Sequence, residues 1–114
     1  MARNAKHIVH EIYSDVMFEL AQEAGLIDEV MGDLEAVGGI LQEEPKFLSL
    51  LSLGEVKPDE KAQMIRRVFK DRINGLTLDF LCVLAKRNRM NFLHGIEQRY
   101  QTLSDEHKHL HRSR

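Results

Sequence analysis

The chain has 114 residues, a formal net charge of -2 at pH 7 and a single cysteine. This length suits one domain with one core, and the charge argues against a nucleic-acid binder, because phosphate recognition usually requires a strongly basic face. The lone Cys82 excludes an internal disulfide, and no apolar run approaches the roughly 20 residues that a membrane span requires. We therefore expect a single-domain, cytosolic protein that is not inserted in a membrane.

The charges are distributed unevenly along the chain. Between Glu11 and Glu60 there are 13 acidic residues but only two basic ones, Lys46 and Lys57, whereas basic residues are in excess from Lys61 onward. This distribution favours a basic partner for the acidic half and opposes an approach to DNA.

Apolar residues recur at helical spacing in six successive segments. Gly25 ends the first, because glycine takes the left-handed conformation at a helix C-terminus without steric cost, while Pro45 and Pro58 each open a helix. The predicted helices run from about Asn4 to Ala24, Leu26 to Leu41, Pro45 to Ser52, Pro58 to Asn74-Gly75, Thr77 to a break at Asn88–Asn91, and Asn91 to His107. No alternating strand pattern occurs, so the sequence predicts an all-α, compact six-helix bundle.

Two of these helices carry more apolar surface than one core-facing stripe needs. In the first, Ile8, Ile12, Val16, Leu20 and Ala24 recur every fourth residue, and a second stripe of Val9, Tyr13, Met17 and Ala21 lies beside them. In the fifth, Phe80, Leu81 and Leu84 share one face, while Leu76, Asp79 and Val83 form a flank. Each of these helices is therefore either central to the bundle or in contact with something further. Cys82 is predicted to be a small core residue.

The sequence contains no pattern that supports catalysis or cofactor binding. There is no Gly-rich phosphate loop, no paired-cysteine metal spacing and no Gly-x-Ser-x-Gly turn. The alternate histidines His107, His109 and His111 are interpreted as a frayed, solvated tail, and His7 and His10 lack the further ligands that a metal requires. The basic cluster at residues 86–89 has two interpretations, cations at a helix C-terminus or a contact with an anionic partner.

Four segments together resemble one protein family, the delta subunit of rotary ATP synthases, whose mitochondrial counterpart is the oligomycin-sensitivity-conferring protein. The run from Tyr13 to Ala21 is similar to the family's first helix. The run from Phe80 to Leu93, followed by Ile96 and Tyr100, resembles its fifth helix, its turn and its sixth helix. Between them, Pro45–Ser52 and Pro58–Lys61 stand where the family has comparable segments.

The resemblance implies a non-catalytic stator subunit on the cytoplasmic side of a bacterial membrane, peripheral to it. Its six-helix domain would sit on the catalytic hexamer and bind the N-terminal helix of an alpha subunit in a groove between the first and fifth helices. It would thereby help couple the head to the peripheral stalk during proton-driven ATP synthesis. The predicted groove residues are Val9, Tyr13, Val16, Leu20, Leu76, Asp79, Val83 and Lys86.

Two departures from the family pattern matter. Family members often carry small alanines near the positions of Ser14 and Val16, so we expect the bulkier Val16 to shift the register of the guest helix. The family chain also continues past residues 106–108 into a portion that binds the peripheral-stalk b subunit. We therefore divide this chain into a six-helix domain at residues 1–106 and a polar tail at residues 107–114, without that second portion.

Two other classes of protein stay open. One is a helical RNA-binding factor of the NusB type, with a basic face made of Arg66, Arg67, Lys70, Arg72, Lys86, Arg87 and Arg89. Net acidity and the lack of exposed aromatic residues to stack bases argue against it. The other is an unrelated helical adaptor or homodimer whose extra apolar surface meets its own copy.

Overall fold

The computed structural model describes the backbone of residues 5–111 and the side chains of residues 8–109, and within that range it contains six α-helices, one short 3-10 helix and no strand. The α-helices are α1 (Ala5–Ala24), α2 (Ile27–Glu43), α3 (Pro45–Leu51), α4 (Pro58–Phe69), α5 (Gly75–Lys86) and α6 (Leu93–His111). The 3-10 helix, Met90–Phe92, connects α5 to α6. The predicted all-α, six-helix bundle is confirmed.

The predicted end of α1 is confirmed in detail. Gly25 has a φ of 72°, its N–H donates to the carbonyl of Gln22 at 3.1 Å, and the N–H of Leu26 donates to the carbonyl of Ala21 at 2.8 Å. This pair of bonds is the Schellman arrangement, which satisfies the last carbonyls of a helix and requires a left-handed residue.

The predicted boundary between α4 and α5 is wrong. The sequence places the end of α4 at Asn74-Gly75, but α4 ends at Phe69 and Gly75 begins α5. The reason is that Asn74 caps α5, because its side chain accepts a hydrogen bond from the N–H of Leu76 at 2.9 Å. An asparagine in this role satisfies an otherwise unpaired donor of the first helical turn, so the Asn-Gly pair starts a helix here.

The C-terminal helix also differs from its prediction. It begins after the 3-10 helix, at Leu93, and continues to His111 instead of ending near His107. His107 packs edge-on against Phe18 of α1 with the ring centroids 5.8 Å apart, so the expected frayed tail is wrong for this residue. The division of the chain at residue 106 stays a prediction, and α6 passes that point without interruption.

The core is shared by all six helices. Its fully buried side chains include Met17, Leu34, Leu51, Ile65, Leu81, Ile96 and Tyr100. The hydroxyl of Tyr100 donates to the carbonyl of Ile27 at 2.8 Å, and burial raises the pKa of that hydroxyl, so Tyr100 acts as a neutral donor in the core. Cys82 is buried, as predicted, and its Sγ lies 3.7 Å from the carbonyl of Ala62.

The pairing of the helices leaves a space between α1 and α5. α1 packs mainly against α6, and α5 packs mainly against α4. His10 of α1 meets Phe92 of the 3-10 helix, with ring centroids 5.7 Å apart, and Phe18 of α1 meets Tyr100 of α6 at 5.6 Å. Gly95 allows this close approach, because a Cβ at that position would overlap the His10 ring. α1 and α5 therefore each rest on another helix, and their facing flanks stay open.

Candidate functional site

An open groove of about 400 Å³ lies between α1 and α5. α1 contributes Val9, Ile12, Tyr13, Val16, Met17 and Leu20. α5 and the turn after it contribute Leu76, Asp79, Phe80, Val83, Arg87 and Arg89.

The groove has a buried floor and exposed apolar walls. Met17 and Phe80 are buried beneath it, whereas Ile12, Val16 and Val83 are 56%, 51% and 41% exposed. Exposed apolar side chains that stand alone are ordinary, but a continuous apolar patch on a small protein marks a site of interaction. The excess apolar surface predicted for the first and fifth helices thus lies on two walls of one concave surface.

The structure brings together seven of the eight predicted site residues. Val9, Tyr13, Val16, Leu20, Leu76, Asp79 and Val83 all line the groove. Lys86 does not, since its ammonium group lies 3.5 Å from a carboxylate oxygen of Asp59 in α4. Ser14 is fully buried, and its hydroxyl donates to the carbonyl of His10 in its own helix. Ser14 therefore does not line the groove.

Sequence reasoning missed three exposed or half-exposed residues of the groove: Ile12, Arg87 and Arg89. The signal for Ile12 was present, because it stands three residues after Val9 and four before Val16 and so shares their face of the helix. The two arginines belong to the basic cluster at residues 86–89, for which contact with an anionic partner was one interpretation, but nothing in the sequence placed them at the groove. Both lie beyond the regular part of α5, where the path of the turn decides which way a side chain points.

That turn has the same geometry as the end of α1. Asn88 has a φ of 58°, its N–H donates to the carbonyl of Ala85 at 3.0 Å, and the N–H of Arg89 donates to that of Leu84 at 2.8 Å. Asparagine is one of the few residues other than glycine that tolerates this conformation. The turn directs Arg89 back toward α1.

The two arginines converge on Tyr13 at one end of the groove. The phenolic oxygen of Tyr13 accepts hydrogen bonds from Arg87 at 3.2 Å and from Arg89 at 2.8 Å. The guanidinium carbon of Arg89 also lies 5.6 Å from the centroid of the Tyr13 ring, within the range of a cation–π contact. Tyr13 thus links α1 to the end of α5 and holds two positive charges beside the groove.

Asp79 occupies the rim of the groove. Its carboxylate lies 3.4 Å from the guanidinium of Arg66 in α4, and both side chains are largely exposed. Arg66 and Lys86, two residues of the alternative basic face, thus have carboxylate partners, while Arg87 and Arg89 turn toward Tyr13. Four of the seven residues of that face therefore interact with other groups of this chain.

A second cavity, of about 520 Å³, lies between α2, α3 and the start of α6. Its lining includes Glu35, Gly38, His94 and Glu97. Burial raises the pKa of Glu97, and the nearby Glu35 adds to the increase while His94 opposes it. A Cβ on Gly38 would lie 2.8 Å from a carboxylate oxygen of Glu97, so the absence of a side chain at Gly38 leaves space for this carboxyl group.

Across the described residues, no group of three or more His, Cys, Asp or Glu side chains is placed to hold a metal ion. His10 packs on Phe92 and His107 on Phe18, while the side chains of His7 and His111 lie outside the described residues. Within the described part of the chain, no helix combines the length and the apolar character that crossing a membrane requires.

Comparison with known proteins connects the chain to a family. The model of the ATP synthase delta (OSCP) subunit family matches residues 9–113. The ATP synthase subunit delta of Halalkalibacterium halodurans is 28% identical over 100 residues, which are 88% of this chain and 55% of that protein. Those of Thermosynechococcus vestitus and Synechococcus sp. are both 30% identical, over 83% and 86% of this chain and 51% and 54% of their own lengths. The chain spans about half the length of these relatives.

Proposed function

The chain belongs to the ATP synthase delta (OSCP) subunit family, and from this premise we propose that it is a non-catalytic part of the stator that binds the N-terminal helix of an alpha subunit in the groove between α1 and α5. In this role it helps to hold the catalytic head to the peripheral stalk while protons drive ATP synthesis. The complex places it peripherally, on the cytoplasmic side of the bacterial membrane. We infer in addition, from the family resemblance, that the full-length protein binds the b subunit of the peripheral stalk.

The groove is the observation that carries this proposal. An amphipathic helix binds a protein by placing side chains spaced three and four residues apart into an apolar groove. Val9, Val16 and Leu20 on one wall and Leu76 and Val83 on the other offer such a helix two apolar walls. The buried floor keeps the walls apart, so the groove is already open for a guest.

The acidic composition of the first half agrees with a protein partner. Glu11, Asp15, Glu19 and Glu23 lie on α1, and the largely acidic part of the chain continues to Glu60. Such a surface repels nucleic acid and attracts basic segments of other proteins.

The direct experiment is a titration with a synthetic peptide of the N-terminal twenty or so residues of a bacterial ATP synthase alpha subunit. Heat and peptide helicity are followed together. We expect saturable one-to-one binding, an increase in helicity and a negative heat-capacity change, since apolar surface becomes buried. Val83→Asp should weaken binding at least tenfold, because it places a carboxylate in the apolar contact.

Leu50→Asp is the matched control. Leu50 is 43% exposed, close to the 41% of Val83, but it lies on α3, outside the groove. This variant should bind the peptide like the wild type. Equal loss in both variants, or no binding to the wild type at high micromolar concentration, would contradict the proposal. A mass that rises with protein concentration would favour the homodimer, and RNA binding that falls steeply with salt would favour the RNA-binding factor.

A further inference from the structure

The two ends of the groove carry opposite charges. One end of the groove is defined by the contacts of the first part of α1. His10 packs against Phe92, which follows α5 closely in the chain, and Tyr13 contacts Arg87 and Arg89. The first part of α1 therefore lies beside the C-terminal end of α5, and this end of the groove is basic.

The other end lies beside the start of α5. The N–H of Asn74, just before α5, donates to Asp33 of α2 at 2.9 Å, and α2 begins directly after α1. α1 and α5 therefore run in opposite directions along the groove, and Leu20 lies toward the Leu76 end. Here acidic groups predominate. Asp79 lies on the rim, where Arg66 of α4 partly offsets its charge, and the exposed Glu19 and Glu23 stand three residues after Val16 and Leu20.

Charged side chains, and not the dipoles of the helices, set the electrostatic potential along the groove. Because α1 and α5 run in opposite directions, the positive end of one helix dipole lies beside the negative end of the other, and the two largely cancel. At the basic end, neither Arg87 nor Arg89 forms an ion pair with a carboxylate within the described part of the chain. Each guanidinium has five N–H donors, and the shared Tyr13 oxygen uses one from each.

We propose that this charge difference fixes the direction of the guest helix, with its C-terminal end and a carboxylate side chain on Arg87 and Arg89, antiparallel to α1. The inference rests on the proposed function and specifies the chemistry of its partner. The unpaired carbonyls at the C-terminus of a helix carry partial negative charge. Two guanidinium groups held together by Tyr13 therefore attract that end and a nearby carboxylate, whereas Glu19 and Glu23 attract the positive N-terminal end.

The test uses two versions of the alpha-subunit peptide, both amidated at the C-terminus. One ends in an added glutamate and the other in an added lysine. The glutamate version should bind the wild type about three to ten times more tightly. In the double variant Arg87→Glu/Arg89→Glu this preference should reverse. In Arg67→Glu/Arg72→Glu, with the same charge change at exposed positions outside the groove, it should persist. If the double variant fails to fold, Arg87→Glu alone should reduce the preference, because Arg87 is exposed.

A second readout reports direction without any change to the protein. A nitroxide at the C-terminus of the peptide should broaden the amide signals of Arg87, Arg89 and Val9, and a nitroxide at its N-terminus should broaden those of Leu20 and Leu76. The opposite pattern, or equal binding of the two peptides, would overturn the inference while the proposed function stands. If neither peptide binds the wild type, the proposed function fails as well.

Discussion

Asp33 joins two helices through one oxygen atom. Its Oδ2 accepts hydrogen bonds from the N–H of Asn74 at 2.9 Å and from the hydroxyl of Thr77 at 2.8 Å. Thr77 is fully buried, so its hydroxyl depends on this acceptor. Asp33 and Thr77 are 44 residues apart in the sequence, and no local pattern relates them. The sequence therefore did not predict this contact.

Asp33→Ala is expected to lower the free energy of unfolding by about 1–3 kcal/mol, because it leaves a buried hydroxyl without an acceptor. Asp33→Asn is the matched control, since its side-chain oxygen can accept the same two bonds. Urea denaturation of the three proteins provides the measurement. Equal losses for alanine and asparagine would show that the charge, not the accepted bonds, matters at this position.

Glu97 is expected to make stability depend on pH. Burial raises its pKa in the folded chain above the ordinary value of 4.5, so the folded state holds this proton more tightly than the unfolded state. Ionisation of Glu97 therefore costs stability as the pH rises through the raised pKa, and below the ordinary value this cost is absent. Glu97→Gln should match the wild type in acid and exceed its stability at neutral pH.

Thermal unfolding between about pH 3 and about pH 7 checks this expectation. Glu106→Gln, at an exposed position of the same helix, is the control and should follow the wild type throughout. A constant difference between Glu97→Gln and the wild type at every pH would contradict the role given to this carboxyl group.

At the scale of the helices, the sequence predicted a helix and its end correctly where neighbouring residues alone determine them. The spacing of Ile8, Ile12 and Val16 and the position of Gly25 predicted α1 and its end. The end of α4 was missed because Asn74 has two possible roles, and only its hydrogen bonds show that it caps α5. The end of α6 was missed because the residues after His107 are mostly polar and suggest a frayed end. The contact between His107 and Phe18, which stabilises this part of the helix, cannot be recognised from the sequence.

Neighbouring positions of α1 should respond differently to substitution. Val16 is 51% exposed in the groove, whereas Met17 is fully buried in the core. Val16→Gln should change the free energy of unfolding by about 0.5 kcal/mol or less, while Met17→Ala should cost about 2–5 kcal/mol through the cavity it leaves. Chemical denaturation measures both. A large loss for Val16→Gln would mean that this residue supports the fold and is not held free for a partner.

At the scale of the whole molecule, the sequence predicted the fold class and most of the candidate groove. The fold class followed from the helical spacing of the apolar residues. The groove was implied by the resemblance to the ATP synthase delta family, and the excess apolar surface of the first and fifth helices agreed with it. Which flanks face each other depends on how the helices pair, and α1 on α6 with α5 on α4 is a property of the assembled bundle. The basic end of the groove arises only at this scale, since Tyr13 and Arg89 are 76 residues apart.

The most direct test of the account is methyl NMR of the protein titrated with the alpha-subunit peptide. Val9, Val16, Leu20, Leu76 and Val83 report on the groove, while Leu50 and Leu53, which are 43% and 44% exposed outside it, report on non-specific contact. The account predicts saturable shifts of the groove methyl signals at one peptide per chain, with the Leu50 and Leu53 signals unchanged. Saturable binding that leaves the groove methyl signals unmoved would contradict it.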